Sequence, residues 1–187
     1  MQEEIDFAID AASESMDNAM KHLQRELSKV RTGKASPSIF DGLMVEYYGS
    51  DTPLNQVANV GLLDARTLTI QPWEKSMLEP IEKAIFAANL GLTPQNDGNI
   101  IRITIPMLTE ERRRDLVKQV KQLGEDTKVT IRKARREAND EIKDAVKNGY
   151  SEDMGKRMEE KVQKMTDGFI AKVDEFAKKK EEDVMTV

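Results

Sequence analysis

The chain has 187 residues, no cysteine and a single histidine, His22, so disulfides and zinc–thiolate sites are excluded and histidine-based catalysis is disfavoured. A net charge of −5, from 29 basic and 34 acidic residues, argues against a globally basic nucleic-acid-binding protein but permits a local basic patch. Charged residues make up 34% and aromatic residues 5%, which favours long exposed helices over an aromatic-rich enzyme core. Because no metal-ligand spacing or cofactor motif is present, we expect no metal, no cofactor and no enzymatic activity.

The first ten residues are acidic and contain no lysine or arginine, the opposite of signal and transit peptides. No apolar run reaches the length of about 18 residues that a spanning helix needs. We therefore expect a cytoplasmic protein that makes no contact with a membrane.

Three long stretches place apolar residues at spacings of three and four, which predicts amphipathic helices over 2 to about 30, about 110 to 147, and about 151 to 184. Each has one apolar stripe, so the three are expected to form a three-helix bundle. The predicted buried residues are Ile5, Ile9, Ala12, Met16, Ala19, Leu23, Leu27 and Val30, then Leu116, Val120, Leu123, Thr127, Ile131, Ala134, Ala138, Ile142 and Ala145, then Met154, Met158, Val162, Met165, Phe169, Val173 and Phe176.

Between the first two helices the pattern changes to short segments of alternating or β-branched residues. Strands are predicted at 43–47, 54–60, 66–71 and 99–105, a turn at 49–53, and a short helix at 73–89. The predicted fold class is therefore α+β. A discontinuous three-helix bundle, residues 1–30 and 106–187, carries an inserted small β/α/β domain, residues 31–105.

The insert leaves and re-enters the bundle at the same end, which predicts a hinge made of two connecting segments and an elongated, angular, two-domain molecule. The predicted hinge residues are Arg31, Thr32, Gly33 and Lys34 in the first segment and Ile105 and Pro106 in the second. A polar linker is the simpler interpretation of the segment from Arg31 to Lys34. As a hinge with two cations, the segment would let the domains reorient while one of them stays anchored.

The second helix carries a concentrated basic segment. Between positions 112 and 136 three acidic residues accompany ten basic ones, which are Arg112, Arg113, Arg114, Lys118, Lys121, Lys128, Arg132, Lys133, Arg135 and Arg136. On a helical wheel with about 100° per residue and Lys128 at zero, the apolar stripe is centred at about 260°. Six other cations lie within about 80° of Lys128, and these are Arg114, Lys118, Lys121, Arg132, Arg135 and Arg136. We call this predicted solvent face the basic rail; it is about 30 Å long.

Two interpretations of the basic rail stay open. A run of charges is usually a solvated helix face. The rail, however, mostly lacks the mixed signs at i,i+4 of a solubility face, and Arg112–Arg114 occupy an early turn where the helix dipole disfavours cations. Its spacing suits phosphates along a nucleic-acid backbone. Because no aromatic residues flank it, recognition of single-stranded bases is not expected.

Several short motifs, in order along the whole chain, resemble those of the ribosome recycling factors. They are Arg-Thr-Gly-Lys-Ala-Ser-Pro-Ser at 31–38, Val-Glu-Tyr-Tyr-Gly at 45–49, Thr-Pro-Leu at 52–54, Arg-Thr-Leu at 66–68, Glu-Lys-Ala-Ile at 82–85, Leu-Gly-Leu at 90–92 with Pro94, Leu-Thr-Glu-Glu-Arg-Arg at 108–113, and Arg-Lys-Ala-Arg-Arg-Glu-Ala-Asn-Asp at 132–140. One departure is Lys34, where the family often has arginine. Lysine keeps the charge but loses the bidentate geometry.

The resemblance implies an L-shaped, monomeric translation factor that is not an enzyme and has no small-molecule substrate. Such a factor enters the A-site region after termination and contacts large-subunit ribosomal RNA. With elongation factor G and GTP hydrolysis by that factor, it splits the ribosome into subunits. The family's functional arginines correspond to Arg132, Arg135 and Arg136, with Arg113 and Arg31 as further candidates. Together with the rail, the predicted ribosome-binding residues are Arg132, Arg135, Arg136, Lys128, Lys121, Arg113 and Arg114.

Two other classes of function remain as alternatives. The first is a cytoplasmic helical adaptor with a basic RNA-binding helix and no role in recycling. If such an adaptor held its partner by coiled-coil contacts, binding would be insensitive to salt, whereas binding to an RNA backbone weakens steeply. The second is a hydrolase-like insert, which is disfavoured because its 70 or so residues contain no nucleophile–base pair.

Overall fold

The computed structural model describes residues 1–186. The helices are α1 (Gln2–Lys29), α2 (Leu78–Ala87), α3 (Glu110–Lys147) and α4 (Glu152–Met185). The strands are β1 (Met44–Tyr47), β2 (Ser50–Pro53), β3 (Ala58–Asp64), β4 (Thr67–Pro72), β5 (Pro94–Asn96) and β6 (Ile101–Thr104). Contacts divide the chain into two compact units, Met1–Thr32 with the segment that starts at Glu110, and Gly33–Thr109.

The first unit is a bundle of α1, α3 and α4, and its helices confirm the three predicted ones to within a few residues. Helix α3 packs against both of the others. The Tyr150 hydroxyl, just past α3, donates to Gln2 at the start of α1, so these two helices run antiparallel. Ser151 begins α4 as a helix cap, because its hydroxyl accepts from the Met154 backbone N–H.

Small residues take some of the buried positions between α3 and α4. In α3 Gly124 is buried, whereas the predicted Leu123 is half-buried. In α1 the difference from the prediction has the opposite sense, since Met20 is buried and the predicted Ala19 is half-buried. A Cβ added at Gly124 would lie 3.5 Å from the Ala177 Cβ, so the backbones of α3 and α4 approach closely there. The large side chains of α4 flank this seam. The predicted Val162 and Val173 are buried, together with Gly155, Thr166, Ala177 and Val184, whereas the predicted Met154, Met158, Met165, Phe169 and Phe176 are half-buried.

The second unit contains more strands than the predicted β/α/β pattern. A β1–β2 hairpin accompanies an antiparallel four-stranded sheet in the order β3-β4-β6-β5. The segment predicted as a strand at 54–60 begins as a 3-10 turn at Leu54–Gln56 and continues into β3. The predicted turn at 49–53 contains β2, and β5 was not predicted. The fully buried side chains in the core of the second unit are Val45, Leu68, Ile70, Ile81, Ile85, Ile101 and Ile103.

No helix within residues 1–186 combines the length and the apolar character that crossing a bilayer requires.

Candidate nucleic-acid interface on helix α3

Between positions 118 and 136, four cations on the solvent-facing side of α3 are exposed and unpaired, and they define what we call the cationic face: Lys118, Lys121, Arg132 and Arg136. None of them forms an ion pair with another residue of the described chain. From Lys118 to Arg136 the face extends about 27 Å along the helix axis. Glu125 lies between the two halves of the face, and its carboxylate pairs with Lys128. The four cations are therefore available to anionic groups from solvent.

Lys128 is placed differently from the prediction, which put it at the centre of the solvent face. Its side chain is only 15% exposed, and Nζ lies 2.5 Å from Asp174 Oδ1 on α4 and 3.3 Å from Glu125 Oε1. The hydrogen bond to Asp174 raises the pKa of Lys128 above its ordinary value, although burial acts in the opposite direction. Lys128 is thus an interhelical ion-pair residue and not an exposed member of the rail.

A small rotation of α3 explains this correction. With Gly124 buried in place of Leu123, the centre of the buried stripe lies about 20° closer to Lys128 than the sequence pattern indicated. The rotation brings Lys128 to the seam with α4 and leaves Arg132 facing solvent.

Two of the predicted binding arginines also lie at the seam between α3 and α4. Arg135 is half-buried and donates from Nη1 to Gln163 Oε1 at 3.2 Å. Arg113 is half-buried and donates from Nη1 to the Met185 carbonyl oxygen at 3.2 Å, where the carbonyl end of the α4 dipole favours a cation. Both residues therefore join α3 to α4 and keep only part of the guanidinium accessible.

The remaining predicted residues are exposed. Arg114 forms an ion pair with Glu110 one turn earlier in α3, so binding a phosphate through it requires that this pair be broken. Lys121 has the predicted placement on the cationic face. Lys118 was counted within the basic segment but not among the binding residues. Its position on the helical wheel, close to Arg136, is the signal that identifies it.

The predicted hinge segments lie next to each other. Gly33 has a φ of +75°, and a Cβ added to it would be 3.5 Å from Leu108 Cγ on the other connecting segment. Ile105 differs from the prediction. It is buried, its N–H donates to the Arg66 carbonyl at 2.8 Å, and Arg66 Nη2 donates to its carbonyl at 3.1 Å. Because both of its backbone groups are held, Ile105 belongs to the core of the second unit and is too constrained to be a pivot.

The other predicted hinge residues lie in segments without regular secondary structure. Arg31, Lys34 and Pro106 are exposed, and Thr32 is half-buried. The segment from Pro106 to Thr109 contains no helix or strand before α3 begins. Among the described residues, no group of three or more potential ligands is placed to hold a metal ion.

Comparison with known proteins matches residues 23–185 to a family model described as ribosome recycling factor. The chain is 57% identical over 185 residues to the ribosome-recycling factor of Cytophaga hutchinsonii, covering 99% of this chain and all of the relative. It is 52% identical over 180 residues to that of a Geobacillus species, covering 96% of this chain and 97% of the relative.

Two solved structures are similar over nearly the whole chain. A solution structure of the ribosome recycling factor superposes with a TM-score of 0.81 at 36% identity and covers 98% of each chain. The other comes from models for the T. thermophilus ribosome recycling factor and the E. coli elongation factor G bound to the E. coli post-termination complex. Its TM-score is 0.64 at 45% identity, covering 97% of this chain and 99% of that one.

The ion pair between Lys128 and Asp174 predicts a pH-dependent stability. We expect Asp174→Asn to lower the free energy of unfolding by about 0.5–1 kcal/mol at pH 8, as measured by urea titration. Because the folded-state pKa of Lys128 is raised, the ion pair stabilises the protein in full below the unfolded-state pKa of about 10.4. This stabilisation is lost as the pH rises through the folded-state pKa of Lys128. Wild type and variant should therefore converge above that pH.

The matched control is Glu160→Gln, which neutralises an exposed carboxylate on the same helix. Glu160 forms no ion pair with another described residue, so the Glu160→Gln variant should have the free energy of unfolding of the wild type at every pH. A difference for Asp174→Asn that persists unchanged to pH 11.5, or that is absent at pH 8, would contradict the assignment.

Proposed function

The chain belongs to the ribosome recycling factor family, and we propose that it binds the post-termination ribosome in the cytoplasm and, with elongation factor G, splits it into subunits. Hydrolysis of GTP by elongation factor G supplies the free energy, and the chain itself catalyses no reaction. The observation that carries this proposal is the similarity to recycling factors over the full length of the chain. It is supported by the similarity to a factor in models that also contain elongation factor G on a post-termination complex.

The cationic face of α3 is the surface that we propose contacts large-subunit ribosomal RNA. Its four side chains form no ion pair within the described chain, so no internal pair must be broken when a phosphate binds. Arg132 and Arg136 lie one helical turn apart on the same face, and each guanidinium can bind a phosphate with two parallel hydrogen bonds. Lys118 and Lys121 extend the same charge toward the start of the helix.

This surface is suited to the RNA backbone and not to base sequence. The cationic face contains no aromatic side chain on which a base could stack, and Val129 is the apolar residue beside Arg132. Binding through phosphates depends on the shape of a folded RNA and on counterion release. Binding that does not depend on base sequence suits a factor that acts on every post-termination ribosome.

The residues at the seam between α3 and α4 mainly fix the orientation of α3 about its own axis. Lys128 and Arg113 direct their side chains to Asp174 and to the Met185 carbonyl, and both stabilise the contact with α4. Arg135 has both roles in this proposal. One of its N–H groups binds Gln163, and others remain free to bind a phosphate.

Two connecting segments, 31–34 and 106–109, form the hinge in our proposal. Each unit has its own core, and neither segment contains regular secondary structure. Elongation factor G would displace the second unit about these segments while the cationic face stays on ribosomal RNA. Ile105 is part of the moving unit and not of the pivot.

Subunit splitting tests the function directly. Post-termination ribosomes mixed with the chain, elongation factor G and GTP should lose light scattering as they separate. The double variant Arg132→Ala/Arg136→Ala should slow splitting about tenfold or more at subsaturating concentration, because two charge-assisted arginine–phosphate contacts are lost. The control Arg157→Ala removes an exposed arginine from α4 and should leave the rate unchanged. No splitting by the wild type would favour the adaptor alternative, and full splitting by the double variant would remove the cationic face from the proposal.

Distance measurements test the hinge. The chain has no cysteine, so dyes can be attached specifically at Glu160→Cys in α4 and Asn99→Cys in the second unit, both at exposed positions. On the ribosome, we expect energy transfer between the dyes to change when elongation factor G and GTP are added, and to do so no later than splitting. Splitting with an unchanged distance would overturn the hinge. A pair of dyes within the bundle, at Glu160→Cys in α4 and Asn18→Cys in α1, should show no change and serves as the control, because both positions are exposed and lie outside the cationic face.

A further inference from the structure

The first unit has a second surface of opposite charge, in a groove between α1 and α3. The groove has a volume of about 770 Å³ and is lined by residues from the N-terminal half of α1 and the C-terminal end of α3, with no lining residue from α4. Along α1 it extends from residue 1 to residue 15, about 21 Å or four helical turns. Its floor is made of small side chains from both helices, namely Ala8, Ala11, Ala12, Ala134, Ala138 and Ala145.

Apolar surface is exposed at the edge of this groove. Phe7 is 76% exposed and Met1 is 54% exposed, although both lie within one helical turn or so of the buried Ile5. The alanine floor lets another backbone approach closely, while Phe7 offers an aromatic side chain to cover. Together they resemble the apolar centre of an interface, where aromatic anchors meet a shallow pocket.

The rim of the groove is acidic. Its carboxylates are Glu3, Glu4, Glu137, Glu141 and Asp144. Three of them have cations close by, since Glu4 lies 3.0 Å from the N-terminal ammonium, Lys133 lies 3.8 Å from Glu137 and Lys147 lies 2.8 Å from Asp144. Glu3 and Glu141 form no ion pair with any described residue.

We propose that this groove is a docking site for a cationic amphipathic helix of a partner protein. The apolar face of such a helix would cover Phe7 and the alanine floor, and its lysine or arginine side chains would reach Glu3 and Glu141 on opposite rims. The length of the groove fits about 14 helical residues. This is the helix-in-groove mode of recognition, in which apolar anchors give affinity and charges give orientation.

Charge decides the class of the partner. The acidic rim repels phosphate, so the groove is not an extension of the RNA-binding surface on the same helix. A helix without basic residues would leave Glu3 and Glu141 unpaired at the edge of an apolar contact. The inference concerns a different surface from the proposed recycling activity and does not rest on it.

A designed peptide tests the proposal on the full chain. The probe is a fluorescein-labelled helix of about 18 leucine, alanine and lysine residues with amphipathic spacing. Its controls are a shuffled peptide of the same composition and a version with glutamate in place of lysine. Fluorescence anisotropy gives the Kd, and amide chemical shifts locate the bound surface. The amphipathic cationic peptide should bind, and the shifts should cluster at residues 1–15 and 134–148.

Two variants of the chain make the result specific. Glu141→Lys should raise the Kd about fivefold or more, because it replaces an attraction with a repulsion. Phe7→Ala should raise it to a similar extent, and because Phe7 is exposed, the variant should fold normally. The matched control Glu160→Lys makes the same charge change on α4, outside the groove. Absence of binding, equal binding of the shuffled peptide, or equal effects of Glu141→Lys and Glu160→Lys would overturn the proposal.

Discussion

The rotation of α3 between α1 and α4 is the constraint on which the surface chemistry of the bundle depends. Buried residues such as Ile131 and Ile142 fix the side of α3 that faces the other two helices. Since each residue turns the helix by about 100°, fixing that side also fixes the direction of every cation on it. Lys128 then meets Asp174 on α4, whereas Arg132, one turn later, faces solvent. Packing in the core thus selects which of ten nearby cations can reach a phosphate.

The same helix divides its charge along its length. Basic residues dominate α3 up to Arg136, and Glu137, Asp140, Glu141 and Asp144 follow within the next two or so turns. The cationic face and the acidic groove therefore occupy neighbouring stretches of one helix. Because both are attached to one packed helix, the spacing between them is fixed by the helix and not by flexible loops. A protein with a net charge of −5 can in this way carry a strongly basic surface.

Periodicity within one helix was enough to predict much of the fold. The bounds of the three long helices and most of α3's buried residues follow from spacings of three and four, and the cationic face follows from the helical wheel. Contacts between helices were not predictable in this way. The pairing of Lys128 with Asp174 and of Arg135 with Gln163 depends on which turns of α3 and α4 lie side by side.

Small residues account for other differences between prediction and structure. Gly124 and Ala177 carry little apolar signal, yet they are buried where α3 and α4 approach closely, and larger neighbours such as Leu123 and Phe176 are only half-buried. Of the groove alanines, Ala12, Ala134, Ala138 and Ala145 were predicted as members of the apolar stripes, but the groove itself depends on how α1 and α3 pack together and follows from neither stripe alone. In the second unit, β5 is three residues long and begins at Pro94, so it had no strand pattern to detect.

The most direct test of the account is the salt dependence of binding to large ribosomal subunits, compared between Arg132→Ala and Lys128→Met. The logarithm of the binding constant falls linearly with the logarithm of the salt concentration, with a slope set by the number of phosphate contacts. We expect Arg132→Ala to make that slope shallower by about 0.7–0.9, the change for one contact. Lys128→Met should leave the slope unchanged, because that lysine is paired with Asp174. Equal slopes for wild type and Arg132→Ala, or an equal reduction for both variants, would contradict the claim that the rotation of α3 selects the RNA-binding cations.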